Sequence, residues 1–265
     1  MATNQSLDRG LAILDLLDGE ARPMGIRDIA RALDISPTIV QRLANTLAAA
    51  GYLEQMPETR RYRLGYRAVV LGGALRRDDH LLANAARELR RMADEHHLNG
   101  YLGALRDHRV VYIDSVQSSG PIAVRSMPGE RAHAHSTAMG KILIAELAAA
   151  ELARVVGPAP YPALTAHTLV TAEALDAELA EVRRRGFALS REENLVGVIS
   201  VAAAIRNQSG RIAAALSVAF LASEHDAARW PAITQLVLDA AHRCARSLGH
   251  DGPPIQLTGE NAHVA

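Results

Sequence analysis

Only one cysteine, Cys244, occurs in the 265 residues, so no disulfide can form within the chain, which fits a reducing compartment. No apolar run reaches the roughly 20 residues that a membrane-spanning helix needs. The N-terminal MATNQSLDRG also lacks the basic-then-apolar pattern of a signal peptide. A soluble, cytoplasmic protein without a membrane role is the expectation. No sequence repeat is present, and a glycine-rich phosphate loop, a nucleophile elbow and a zinc-protease motif are all missing. Lysine is scarcer still than expected: Lys141 stands alone among 29 basic residues, and we read the arginine excess as a mark of GC-rich coding. The formal net charge is zero, which argues against nucleic acid only if the charge is spread evenly. It is not, because Met1 to Arg77 carries a modest basic excess and the remainder is correspondingly acidic.

The chain is longer than one average domain, and each half is large enough to bury its own core. Leu7, Leu11, Leu14 and Leu17 recur at helical spacing after Ser6, a candidate N-cap, and predict a first helix ending at Gly19. Ile26, Ile29, Ala30 and Leu33 predict a second. Ser36 followed by Pro37 starts a third, which runs through Val40, Leu43 and Leu47 to Gly51. Two short strands, Tyr52 to Gln55 and Arg61 to Leu64, flank the loop Met56 to Arg60. Three helices followed by a hairpin is the order of a winged helix-turn-helix, expected over residues 1–65, with a linker helix over 66–78.

Residues 79–249 predict an α+β domain. Leu81 to Glu95 reads as helix. Tyr101 to Leu105 and Val110 to Val116 read as strands around Asp107-His108. Thr137 to Gly140 reads as a loop entering a helix from Lys141 to Leu147. Thr171 to Arg185 reads as helix, Gly197 to Ile205 and Arg211 to Phe220 as strands, and Asp226 to Leu248 as a last helix. The tail, 250–265, contains Pro253-Pro254 and no apolar period, so it is expected to lack fixed structure.

In a helix-turn-helix the second helix of the pair lies in the major groove, with its first turns against base edges. If Ile39, Leu43 and Leu47 face the core of the domain, then Ser36, Pro37, Thr38, Gln41 and Arg42 project outward. Gln41 has the geometry for a bidentate pair with adenine, and Arg42 for guanine or a phosphate, at about 1–3 kcal/mol of discrimination per good pair. Arg9, Arg27, Arg60 and Arg61 are candidate phosphate contacts. Taken singly, each of these side chains suits the solvated face of any small helical domain. Their joint occurrence with the helix order and the Ser-Pro start points to double-stranded DNA.

The stretches Ser6 to Leu14, Ile29 to Leu33, Arg42-Leu43, Gly51 to Leu53 and Tyr62 to Gly65 resemble the IclR family of bacterial regulators. Independently, His135-Ser136-Thr137-Ala138-Met139-Gly140-Lys141 resembles that family's His-x-Thr-Ala-x-Gly-Lys signature, and Arg191-Glu192-Glu193 with Gly197, Ala202 and Ala203 resembles its second effector-domain motif. The likeness covers roughly Ser6 to Leu248, with two separated motif sets in the expected order. It implies a GAF-like effector domain, a homodimer formed through the DNA-binding domains and often a dimer of dimers. It also implies a palindromic operator and a small organic or aromatic acid as effector, and no cofactor. His133 stands where the family usually has Pro, and Ile39 where it usually has Thr. The positions matching the family's effector contacts are Val124, Thr137, Ala138, Met139, Ser190, Val198, Ser200, Ser217 and Ala219. For Ser200 and Ser217 the plainer reading is a strand hydroxyl satisfied by neighbouring backbone.

Lys141 is not assigned to the site, since a lysine in a first turn can snorkel to solvent. Glu192 and Glu193 would be an acid pair for catalysis only if adjacent residues pointed together, which strands and loops disfavour. His133 with His135, or His242 with Cys244, lacks a third ligand at metal spacing. Three functions follow: a ligand-controlled repressor or activator of a catabolic operon; an enzyme acting on a small acid; and an architectural DNA-binding protein whose second domain serves only assembly.

Overall fold

The computed structural model describes residues 4–20, 22–78, 80–118, 126–224 and 227–257, the side chains of 73–78 excepted. It divides into two compact units, Met1–Asp79 and His80–Ala265.

In the first unit, α1 (Gln5–Glu20) starts two residues earlier than a cap at Ser6 predicts. Asn4 is the cap, because its Oδ1 accepts from the N–H groups of both Ser6 (3.1 Å) and Leu7 (3.2 Å). Helix α2 (Ile26–Leu33) ends where Asp34 turns left-handed, at φ 52°. The chain then enters α3 (Pro37–Ala49) through Ser36, whose Oγ accepts from the Ile39 N–H at 3.4 Å, with Pro37 supplying a preset φ. Strands β1 (Leu53–Gln55) and β2 (Tyr62–Leu64) form the wing, with Leu53 opposite Leu64. Met24 bridges Tyr62 from the other side. The core is Ile13, Leu17, Met24, Ile29, Val40, Ala44, Leu53 and Tyr62. This corrects the expected core face of α3. Val40 and Ala44 are fully buried, Leu43 and Leu47 only flank them, and Ile39 sits at the rim. A small side chain at position 44 lets α1 and α2 approach, so the bulkier leucines are displaced to the border. Helix α4 (Tyr66–Asp78) follows, with Tyr66, Val69 and Leu71 exposed.

The second unit is a six-stranded antiparallel sheet ordered β5-β4-β3-β8-β7-β6. Its strands are β3 (Asn99–Arg106), β4 (Arg109–Val116), β5 (Arg131–Ala132), β6 (Phe187–Arg191), β7 (Val198–Arg206) and β8 (Ile212–Leu221). Asp107 and His108, at φ 47° and 59°, make the tight β3–β4 turn. Helices α5 (His80–His96) and α9 (Trp230–Ser247) cover one face. They bury Leu89, Met92, Val237 and Leu238 against Leu102, Phe187, Ile199, Val201, Leu216 and Phe220. The other face carries α6 (Ala138–Ile144), α7 (Ala149–Val156) and α8 (Ala172–Arg185), which pack on Ala188, Ala202 and Ala215. The two residue sets alternate along each strand, as a sheet buried on both faces requires.

Two expectations are corrected here. Helix α6 begins at Ala138 rather than Lys141, because Thr137 takes the cap position and its Oγ1 accepts from the Gly140 N–H at 3.0 Å. The tail is also placed as far as residue 257. The Gln235 amide on α9 donates to Ile255 O (3.2 Å) and accepts from Leu257 N–H (3.0 Å), which holds an otherwise extended segment, and Leu257 packs on the core. Residues 258–265 lie outside the described residues.

Leu89 is wholly buried between α5, α9 and the sheet, and a Cβ on Gly100 would come within 2.9 Å of its Cδ2. Leu89→Ala is therefore expected to cost about 3 kcal/mol, read as a lower urea midpoint for the unit that contains the sheet.

Candidate nucleic-acid interface and effector cavity

On α3 the face opposite Val40 and Ala44 carries Thr38 and Arg42, both exposed. Ser36 and Pro37 lie at its start, also exposed, with Ser36 spent as the cap. Gln41 is exposed but already committed. Its Nε2 donates to Asn45 Oδ1 (2.8 Å) and to the Tyr62 hydroxyl (3.1 Å), and that hydroxyl donates to Asn45 Oδ1 (3.3 Å). A bidentate pair with adenine needs one Nε2–H and Oε1, so it would have to displace at least one of these two hydrogen bonds. Gln41, Asn45 and Tyr62 thus tie the exposed helix to the wing. Asn45 and Tyr62 were not singled out in the sequence, where nothing but the i, i+4 spacing of Gln41 and Asn45 hints at the link. Arg27 and Arg60 are exposed, and Arg9 is half-buried on α1. Arg61 is exposed, but its Nη1 donates to Pro23 O at 3.2 Å, which turns part of the guanidinium back onto the domain.

In the second unit a cavity of about 160 Å³ opens beside α6. It gathers seven of the expected residues: Thr137, Met139, Ser190, Val198, Ser200, Ser217 and Ala219. Ala138 is buried but does not line it, and Val124 lies outside the described residues. Tyr101, Tyr112, Asn194 and Leu195 also line it and were missed, because strand alternation says which face a tyrosine takes but not what lies above that face. The two tyrosine rings meet edge to face at 5.6 Å. Burial raises both phenols above their ordinary range, so they stay neutral donors.

The serines divide. Ser190 Oγ donates to Ser136 O (2.7 Å) and Ser217 Oγ to Val201 O (2.9 Å), the satisfied-strand reading, which leaves their lone pairs to accept. Ser200 Oγ has no partner among the described residues. Among the described residues, no charged side chain lines the cavity.

Lys141 does not snorkel. At 1% exposure it is among the most buried large side chains, and its Nζ donates to Glu193 Oε1 (2.7 Å) and Glu178 Oε1 (3.1 Å). Arg185 Nη2 donates to Glu178 Oε1 (2.8 Å), with its Nε on Phe187 O (2.7 Å). Burial raises the Glu193 carboxyl, and the Lys141 ammonium opposes that rise. Glu192 instead bends away at φ 58° and accepts the Gly197 N–H at 2.8 Å. The two carboxylates therefore do not act as an acid pair on the cavity. Thr165 and Thr168 hold the Glu192 and Glu193 carbonyls, each at 2.6 Å. Asn194 Oδ1 accepts from Ser136 Oγ at 3.0 Å. Cys244 is buried, its thiol pushed up to about 12. Among the described residues no group of three or more His, Cys, Asp or Glu is placed to hold a metal ion.

A winged helix-turn-helix with a polar outward face, together with a separate α/β unit built around a small cavity, defines a DNA-binding regulator with a sensor domain. Residues 74–246 match the model of the bacterial transcriptional regulator IclR C-terminal domain, and residues 6–57 that of the IclR helix-turn-helix domain. The chain belongs to the IclR family and is a transcriptional regulator. It is 34% identical over 246 residues to the HTH-type transcriptional regulator XynR of Escherichia coli K12, covering 93% of this chain and 98% of that one. It is 29% identical to KdgR of the same organism, covering 89% and 90%. A putative IclR regulator from Silicibacter sp. TM1040 superposes with a TM-score of 0.76 at 26% identity over 96% of this chain and all of that one. An IclR homologue from Microbacterium hydrocarbonoxydans, solved with 4-hydroxybenzoate, shares the fold at 20% identity and a TM-score of 0.79, over 92% and 99%.

Two substitutions separate the network from the cavity. Lys141→Met leaves Glu193 buried without its counter-charge and should cost about 3–5 kcal/mol in urea unfolding, much of it recovered when Glu193→Gln is added. In Gly140→Ala the new methyl would lie 2.5 Å from Ala134 O and 2.6 Å from Ala134 Cα. Both contacts are to backbone, so the variant should be destabilised by at least about 1–3 kcal/mol.

Proposed function

We propose that this regulator is a repressor of a small-molecule catabolic operon, released from a palindromic operator by a small organic or aromatic monoacid bound in the cavity beside α6. The observation that carries the proposal is the lining of that cavity. Two neutral tyrosines and apolar walls from Met139, Leu195, Val198 and Ala219 suit a flat apolar body, while the Ser200 hydroxyl and the other serines offer neutral hydrogen bonds. A carboxylate held only by neutral donors favours a single charge over several. The 4-hydroxybenzoate bound by the Microbacterium homologue belongs to that class, and the Escherichia coli relative AllR, 26% identical, is a repressor.

On the DNA side, Thr38 and Arg42 read bases from the outward face of α3, and Arg27 and Arg60 hold phosphates. The exposed Leu7, Leu11, Tyr66, Val69 and Leu71 support dimerisation through the first unit. A two-fold dimer presents its α3 helices to half-sites about 34 Å apart, or a multiple of that. A coupling of about 1–3 kcal/mol between effector and operator suffices to change occupancy several-fold.

Thr38→Ala/Arg42→Ala should weaken binding to the DNA upstream of its own gene by at least about tenfold in gel shifts, leaving non-specific binding nearly intact. Unchanged affinity in that variant would overturn the assignment of the reading face. Ser200→Leu fills the cavity, and should abolish release by 4-hydroxybenzoate and related monoacids without altering operator affinity. If no monoacid from such a panel changes operator affinity in the wild-type protein, the effector class is wrong.

A further inference from the structure

A second concavity lies at the β4–β5 edge of the sheet and shares no lining residue with the effector cavity. Its volume is about 380 Å³, within the size range of small-molecule sites. Arg109 enters it from β4, Arg131 and His133 from β5 and the residue after it, and Arg154 from the last turn of α7. His108 and His135 complete the polar wall, over a floor containing Val110, Ala134, Val155 and Val156. No carboxylate lines it among the described residues. Among the described residues, none of the three arginines forms an ion pair. Glu130, next to Arg131, is turned away to accept the Met127 N–H at 2.9 Å.

Three exposed guanidinium groups around one concavity concentrate positive potential there, which water and salt screen only in part and which a bound anion would neutralise. We propose that this cavity binds a small multiply charged anion, of the polycarboxylate or phosphate class, at a site separate from the effector cavity. Planar guanidiniums pair bidentately with either group. A metal ion is disfavoured for the same reason that an anion is favoured, despite the neighbouring imidazoles: the arginines supply positive charge and no lone pair. The His135 ring is also turned inward, its Nε2 3.0 Å from Pro162 O and its face against Tyr161 at 5.4 Å.

The site is coupled by geometry to the effector cavity through one turn. His133 lines the basic cavity, its carbonyl accepts from Thr137 Oγ1 at 2.7 Å, and Thr137 lines the effector cavity.

The test is isothermal titration of the full-length protein with citrate, pyrophosphate and acetate. Citrate, pyrophosphate or both should saturate one site per chain, and whichever binds identifies the source class, while acetate should bind at least about tenfold more weakly. Arg131→Ala/Arg154→Ala should weaken the binding by at least about tenfold, with the ligand-free unfolding midpoint not lowered, and Ser200→Leu should leave it intact. Arg154→Gln, a single change on an exposed helix position, gives the same direction should the double variant fold poorly. Absence of saturable binding at millimolar concentration, equal binding of acetate, or unchanged binding in both arginine variants would each overturn the proposal. A response confined to Ser200→Leu would place the anion in the effector cavity instead, and overturn it too.

Discussion

Where the Lys141 ammonium sits decides the shape of the sensor unit. An isolated ammonium at 1% exposure would cost several kcal/mol of desolvation. Here it is offset by Glu193 and Glu178, and Glu178 is shared with Arg185, so that two cations and two carboxylates sum to zero. These charges come from three places: α6, α8 and the loop between β6 and β7. Apolar residues of similar volume could fill the same space, but they would not fix which turn of α6 faces which turn of α8. Lysine also suits the position better than arginine. Gly140 is pressed against the Ala134 backbone, so α6 lies close to the turn before it, and a compact point charge reaches two carboxylates without needing a planar slot.

The cavity follows from the same constraint. On the α5/α9 face the sheet presents Phe187, Ile199, Leu216 and Phe220, and on the other face it presents Ala188, Ala202 and Ala215. Small residues there let α6 sit low on the sheet. The face then continues past the helix as Ser190, Val198, Ser200, Ser217 and Ala219, with Ser200 paired to Ser190 on one side and Ala219 on the other. Beyond the helix the side chains stay small, and the described residues leave a cavity above the sheet. The network holds the β6–β7 loop beside this gap through Glu193, and Asn194 and Leu195 of that loop become its wall.

The sequence was most legible where local chemistry decides structure. Ser36-Pro37 fixed the start of α3, and Thr171 with Gly186 bounded α8, because caps and left-handed termini are satisfied within one turn. It misled where a partner distant in sequence decides. Lys141 reads as a solvent-facing charge until α8 and the β6–β7 loop bring carboxylates 37 and 52 residues away. Residues 250–257 read as an unstructured tail until Gln235 supplies both a donor and an acceptor. Gln41 read as free until the hairpin delivered Tyr62. The residues that line the cavity beside α6 were reached through motif likeness rather than pattern, since a serine on a strand carries no local sign of what lies opposite.

The two concavities of the sensor unit differ in the one property that discriminates small acids, the charge they can neutralise. The cavity beside α6 has tyrosines kept neutral by burial and, among the described residues, no ionised side chain in its lining, so those residues offer no counter-charge to a further charge on a ligand. The basic cavity has the opposite character, with cationic walls open to solvent, where a second or third charge on the ligand meets another guanidinium. If both proposed sites bind acids, charge number would separate their ligands before shape does. Since the Thr137–His133 bond joins the two walls, whatever orders one side of that turn restricts the other.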